Sequence, residues 1–229
     1  MVGRRRFGVL RQPDRRAIDC PLCARPARDA YHDDAGRRYS RCQACHLIFL
    51  DPEHRPAPDA EHNRYREHRN QAGDEGYEAF LRRLADPVAV RVAAGAKGLD
   101  FGCGPEPVLG GMLARQGFDV TSYDPLFHPD AAALDAVYGF ITCSEVLEHV
   151  HDPGSLLPRL GSMLRAGGLL GIMTRFPGHE HPFATWWYRR DPTHVCFYGE
   201  ETMRWIANHY RWGLEIPRRD VALFTIPPG

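Results

Sequence analysis

From Lys97 onward, short apolar runs alternate with amphipathic stretches, and this alternation restricts the chain to an α/β architecture. The pattern predicts strands at 98–101, 118–123, 138–143 and 169–174. Helices are predicted at 108–116, 155–164 and 200–210, with a helical turn over 145–149 and a helix end at Gly167-Gly168. Two last strands, 212–216 and 221–226, would form a hairpin. The expected product is a doubly wound, mostly parallel sheet with an antiparallel C-terminal edge. Ahead of it, Tyr77, Phe80, Leu81 and Leu84 share one helical face, and Asp86-Pro87 looks like the start of a second short helix.

The N-terminal part obeys a different constraint. Four of the seven cysteines fall as Cys20-x2-Cys23 and Cys42-x2-Cys45, with 18 residues between the pairs. Two thiolates two residues apart can reach one ion from a tight turn, and two such turns complete a tetrahedron. Between the pairs, Tyr31, an Asp33-Asp34-Ala35-Gly36 turn signal and Tyr39 predict a hairpin, hence a zinc ribbon over 19–50 with those cysteines as ligands. Leu47 to Leu50 would pack the ribbon onto something larger. Residues 1–18 form a basic arm with six arginines in its first 16 positions, and 51–76, with three prolines, form a linker. The main domain would then span 77–229.

In an open α/β sheet, ligands bind at the carboxyl ends of the central strands. Here that place is Asp100-Phe101-Gly102-Cys103-Gly104-Pro105, and Asp124 follows Gly104 by twenty residues at the end of the next strand. A carboxylate there can accept both hydroxyls of a ribose, so an adenosine-containing cofactor is expected. A dinucleotide fingerprint needs a third glycine where Pro107 stands, and Glu106 would repel a pyrophosphate. Acids at 100 and 124 suit a cationic cofactor without phosphate, which S-adenosylmethionine is.

The block Gly98-Leu-Asp-Phe-Gly-Cys-Gly-Pro-Glu-Pro-Val-Leu resembles motif I of class I S-adenosylmethionine-dependent methyltransferases. Val120-Thr-Ser-Tyr-Asp124 is similar to their acidic second motif. Phe140 to Val150, continued by His151-Asp152-Pro153, resembles their fourth-strand segment in the small-molecule branch, and Leu164 to Thr174 their late helix–strand unit. The likeness covers about 77–226, with Glu106 standing where many relatives carry glycine. With the ribbon in front, and Trp186-Trp-Tyr and 191–198 behind, the chain looks like a zinc-ribbon-bearing subgroup.

The resemblance implies a Rossmann-like fold and roles for matching positions. Asp100, Gly102 and Gly104 would shape the methionine side of the pocket, Asp124 would hold the ribose, and Pro125 and Leu126 would flank the adenine. Cys143, Ser144 and Glu145 would line the place where methyl donor and acceptor meet.

A hydroxyl or acidic-carbon acceptor needs a base as well as alignment. The candidates are His194, with Asp191 to orient its ring, His149, and the Tyr198 hydroxyl. Phe183, Trp186, Trp187 and Tyr188 would form a lid or pocket wall. The expected acceptor is a small or sugar-like molecule. Two alternatives stay open: an RNA methyltransferase gripping phosphates with ribbon and arginine arm, and a non-catalytic S-adenosylmethionine- and zinc-binding module. Lys+Arg and Asp+Glu balance at 29 each, which excludes nucleic-acid binding by bulk charge alone. With no apolar run near the roughly 18 residues a membrane span needs and no apolar leader after Met1, a cytoplasmic location without a membrane partner is expected. The oligomeric state is left open.

Overall fold

The computed structural model describes residues 17–27, 30–34, 36–57, 59–60, 64, 73–178 and 182–228. The basic arm therefore lies almost wholly outside the described residues, as does much of the expected linker.

The larger sheet has six strands: β6 (Lys97–Phe101), β7 (Asp119–Tyr123), β8 (Tyr138–Ser144), β9 (Leu164–Met173), β11 (Gly213–Arg218) and β12 (Val221–Thr225), in the order β11-β12-β9-β8-β6-β7. β7, β6, β8 and β9 are parallel, and β12 and β11 close the edge antiparallel. Side chains alternate across the sheet, as strand geometry requires. Leu169 and Met173 of β9, with Val221 and Leu223 of β12, face one cluster, and Leu170, Ile172, Ala222 and Phe224 face the other. Both faces must therefore be covered, which is why the strands read as near-continuous apolar runs.

The first face is covered by α1 (Glu75–Ala89) and α2 (Val108–Arg115) through Leu81, Leu84, Val88, Leu109, Met112 and Leu113. The second carries α3 (Pro153–Ser162) and α4 (Glu200–Tyr210), which bury Leu157, Leu160, Met203 and Ile206. Each such side chain contributes roughly 1.5–3 kcal/mol when fully buried. Asp74 caps α1 by accepting the Tyr77 N–H at 3.0 Å, and Asp152 caps α3 through the Ser155 N–H at 3.1 Å, with Pro153 in the first turn.

Three local expectations are corrected. Asp86-Pro87 starts no second helix: α1 runs through to Ala89 with Pro87 in its last turn, packed into the core. There only one intrahelical bond is lost to the proline. Gly167-Gly168 does not end a helix either. α3 stops at Ser162, and the glycines form a bulge inside β9, where Tyr138 pairs with Leu164 but Phe140 with Leu169. Gly167, at φ +73°, gives its N–H to the Ile226 carbonyl, so the bulge is held by the C-terminal segment. The turn at 145–149 is a short 3-10 turn over Leu147–His149, with Glu145 outside it.

The N-terminal part folds as β1 (Ile18–Asp19) and β2 (Pro26–Ala27) around the first cysteine pair, then the expected hairpin β3 (Ala30–Asp34) and β4 (Arg37–Arg41), then β5 (Ile48–Leu50). Its sheet takes one strand from far along the chain: β10 (Cys196–Phe197) pairs antiparallel with β5. Leu47, Phe49, Leu50 and Tyr39 are fully buried in the same cluster as Phe183, Trp186 and Phe197. Packing of Leu47 to Leu50 onto a larger body is thus observed, and the body includes segment 183–198. No helix among the described residues is long and apolar enough to cross a membrane.

Candidate active site

The carboxyl ends of the parallel strands carry the glycine loop. Gly102 and Gly104 lie at φ +74° and +69°, where a side chain is strained. A Cβ on Gly102 would strike Val146 Cγ2 at 2.4 Å, whereas nothing lies within 4 Å of one on Gly104. Gly102 is therefore needed for packing against Val146, and the loop faces open space at Gly104. Both N–H groups of Gly102 and Cys103 donate to the Tyr123 carbonyl, which moulds the loop onto the end of β7.

Asp124 ties the same corner together. Its Oδ2 accepts the Gly104 N–H at 3.1 Å, and its Oδ1 accepts from Leu126 at 2.8 Å and Phe127 at 3.1 Å. Pro125 and Leu126, beside it, are exposed. No lysine or arginine stands in 98–107, so nothing there neutralises a phosphate, while acids surround the loop.

Asp100 sits beneath this loop, fully buried. One oxygen accepts from Thr142 Oγ1 at 2.9 Å and the other from the Gly110 N–H at 3.0 Å, fastening β6 to β8 and α2. Burial pushes its carboxyl up to about 6. Gly110 allows that approach: a Cβ would lie 2.6 Å from Ser122 Oγ.

The residues expected to meet the acceptor lie past β8 and β9. Cys143 is buried in the core, and burial pushes its thiol well up, so it is no nucleophile at neutral pH. Ser144 is half-buried. Glu145 takes a left-handed conformation at φ +51° and gives its N–H to the Met173 carbonyl at 2.8 Å. Its Oε2 accepts from the Tyr188 hydroxyl at 3.3 Å, while Oε1 is buried without a protein partner. Burial, then the neighbouring Glu148, push this carboxyl up to about 9. The Tyr188 hydroxyl donates its shorter bond to Glu148 at 2.6 Å.

Of the proposed bases, His194 is buried beside this network. Its Nδ1 lies 2.7 Å from the Tyr188 carbonyl, an acceptor only, so Nδ1 carries the hydrogen and Nε2 is the basic nitrogen. Burial lowers its pKa to about 4. The orienting group is thus the Tyr188 carbonyl and not the Asp191 carboxylate. Asp191 instead accepts from Thr193 and pairs with Arg64 at 2.9 Å, serving the turn before His194. The His149 ring meets that of His194 edge-on at 4.7 Å, with its Nδ1 on the Thr193 carbonyl. Glu148, His149 and His194 offer ligand atoms within 4.8 Å of one another and could hold a cation. Tyr198 is fully buried and its hydroxyl is bound to the Leu147 carbonyl, which makes it a core residue. Phe183, Trp186 and Tyr188 also pack inward, and only Trp187 of that aromatic group is exposed.

The four ribbon cysteines offer their sulfurs within 4.8 Å of one another, Cys20 to Cys45 at 3.4 Å and Cys23 to Cys42 at 3.5 Å. Sulfurs around a tetrahedral zinc lie about 3.8 Å apart, so the donor set suits that ion. The two knuckles match: Ala24 and His46, each four residues after the first cysteine, have φ +54° and +61° and give their N–H groups back to Cys20 and Cys42.

Glu148, Arg37 and Arg175 were not foreseen. An acid inside the apolar stretch Val146-Leu147-x-x-Val150 is the signal that could have drawn attention to Glu148. The arginines act over contacts with no local sequence mark.

A family model described as a methyltransferase domain matches residues 47–215, well over half of the chain. The chain belongs to the class I S-adenosylmethionine-dependent methyltransferase family. The chain is 33% identical over 104 residues to the ubiquinone biosynthesis O-methyltransferase of Aeromonas salmonicida, covering 35% of this chain and 43% of that protein. It is 33% identical over 116 residues to the enzyme of that name from Xanthomonas campestris pv. campestris, covering 39% and 47%. It thus spans less than half the length of these curated relatives. In fold, the chain is similar to the 1,6-didemethyltoxoflavin-N1-methyltransferase of Burkholderia thailandensis, whose crystal structure holds 1,6-didemethyltoxoflavin and S-adenosylhomocysteine. The TM-score is 0.53 and the identity 16%, over 87% of this chain and 99% of that one.

Proposed function

We propose that the protein transfers a methyl group from S-adenosylmethionine to a small-molecule acceptor in the cytoplasm. The observation that carries this reading is the Asp124–Gly104 corner: an acid locked at 3.1 Å onto a left-handed glycine that opens to solvent, with no cation in the loop. A ribose fits an acceptor carboxylate at this strand end, and an uncharged or cationic tail fits the acidic surroundings. The similar ubiquinone biosynthesis O-methyltransferases, and the similarly folded N1-methyltransferase that holds 1,6-didemethyltoxoflavin, support a small acceptor.

When bound, S-adenosylmethionine supplies an activated methyl on a sulfonium. The chain's own task is alignment and exclusion of water. Asp124 would hold the ribose and Gly104 would let the cofactor approach the backbone, with Asp100 supporting the loop from below. His194, held as its Nδ1–H tautomer, would accept the acceptor's proton at Nε2. Cys20, Cys23, Cys42 and Cys45 would bind one structural zinc. The RNA reading finds less support, because ribbon arginines are used internally: Arg37 on carbonyls of 189–194 and Arg41 on Glu201 at 2.7 Å.

The experiment is a transfer assay with methyl-labelled S-adenosylmethionine, offering separately the small-molecule fraction and the RNA of a cell extract. Label in the small-molecule fraction is expected; label only in RNA would overturn the acceptor assignment.

A further inference from the structure

Arg175 stands two residues beyond β9, at the carboxyl edge of the sheet beside Glu145. Its guanidinium lies 4.9 Å from the centre of the Trp187 ring and 5.8 Å from that of Phe80. These rings come from distant segments, Phe80 from α1 and Trp187 from the short 3-10 turn Trp187–Arg190. A guanidinium fixed by two aromatic contacts keeps its in-plane N–H donors directed at its edges, the arrangement that suits a carboxylate or a phosphate.

Among the described residues Arg175 forms neither an ion pair nor a hydrogen bond, and its contacts are the two rings. Burial and Glu148 push the nearby Glu145 carboxyl up, with the Arg175 charge pulling the other way. Asp220 is held by Arg83 at 2.7 Å. The guanidinium thus stands at the carboxyl edge of the sheet against a Trp187 ring that is 54% exposed.

We propose that Arg175 is a substrate-specificity residue, and that the methyl acceptor is a small planar molecule bearing a carboxylate or a phosphate. Its anionic group sits on the guanidinium edge and its planar part lies against Trp187. This inference rests on the small-molecule methyltransferase reading and narrows the acceptor class.

The test is calorimetric titration of the S-adenosylhomocysteine-loaded protein with benzoate, phenyl phosphate and the neutral control benzyl alcohol. One of the anions should bind, more weakly as salt is raised, and the tighter of the two tells carboxylate from phosphate. Arg175→Ala should weaken that anion by about 10- to 100-fold and leave benzyl alcohol within about two-fold, consistent with the loss of charge-assisted hydrogen bonds. Arg175→Lys, which keeps the charge but loses the fork, should fall between. Benzyl alcohol binding as tightly as the anions, an unchanged anion affinity in Arg175→Ala, or no anion binding at millimolar concentration would each overturn the proposal. The loading step separates the two readings: failure to bind S-adenosylhomocysteine refutes the cofactor assignment, while loading without anion binding refutes only the role of Arg175.

Discussion

The carboxylate of Asp34, on the ribbon hairpin, holds the buried guanidinium of Arg189 at 2.7 Å. Beside it, Arg37 donates to the carbonyls of Arg189 at 3.1 Å, Asp191 at 3.3 Å, Pro192 at 3.3 Å and His194 at 3.4 Å. The ribbon thus grips the segment that presents Tyr188 and His194. Backbone pairing of β5 with β10 extends the same contact. The small cysteine-bearing sheet thereby backs the segment 183–198.

Zinc removal should be felt along that segment. Structural zinc contributes on the order of 10 kcal/mol in small fingers, so Cys42→Ser or strong chelation should unfold the ribbon locally. Hydrogen exchange should then rise over the described parts of 18–50 and also over 183–198, while 97–144 stays protected. A rise confined to the ribbon, or a protein without zinc by elemental analysis, would contradict this coupling.

Asp100 gives a pH signature. Its carboxyl is raised from an ordinary 3.8 to about 6 by burial, so the native state holds its proton between those values while the unfolded chain has lost it. Stability from this group therefore falls as pH rises through that window, by up to about 3 kcal/mol above pH 6. Asp100→Asn can still accept from Gly110 and donate to Thr142. Denaturant melts should show the variant gaining on the wild type between pH 4 and 6 and keeping the gain above. A difference independent of pH would show that Asp100 titrates normally.

Most of the sheet was legible because its strands are buried on both faces and its helices carry a single apolar stripe. The glycine loop was legible because left-handed turns need glycine at Gly102 and Gly104. What escaped was non-local. Arg37 meets its carbonyls more than 150 residues away in sequence, and Phe80 meets Arg175 only through the fold. Tyr198 offers a hydroxyl four residues from His194, but it closes a run, 193–198, that is buried throughout, and its hydroxyl goes to the Leu147 carbonyl. Asp191 looked like the partner of His194 by spacing, yet a short Asp-x-Thr turn engages its carboxylate first.

For His194, burial holds the pKa near about 4, so the imidazole is neutral and basic at pH 5 to 8. Its base form is lost only as pH falls through about 4. Once the acceptor is known, His194→Ala should lower kcat by about 10²–10⁴-fold, with S-adenosylhomocysteine affinity within a few-fold. The wild-type rate should show no loss between pH 7 and 5. Equal losses in kcat and cofactor affinity would mark His194 as packing alone.

Calorimetric titration of the purified protein with S-adenosylhomocysteine and, separately, with NAD tests the cofactor assignment most directly. S-adenosylhomocysteine should bind at one site per chain, NAD should not, and Asp124→Ala should weaken binding by about 10- to 100-fold through lost charge-assisted hydrogen bonds. Tight NAD binding with no heat from S-adenosylhomocysteine would contradict the assignment outright.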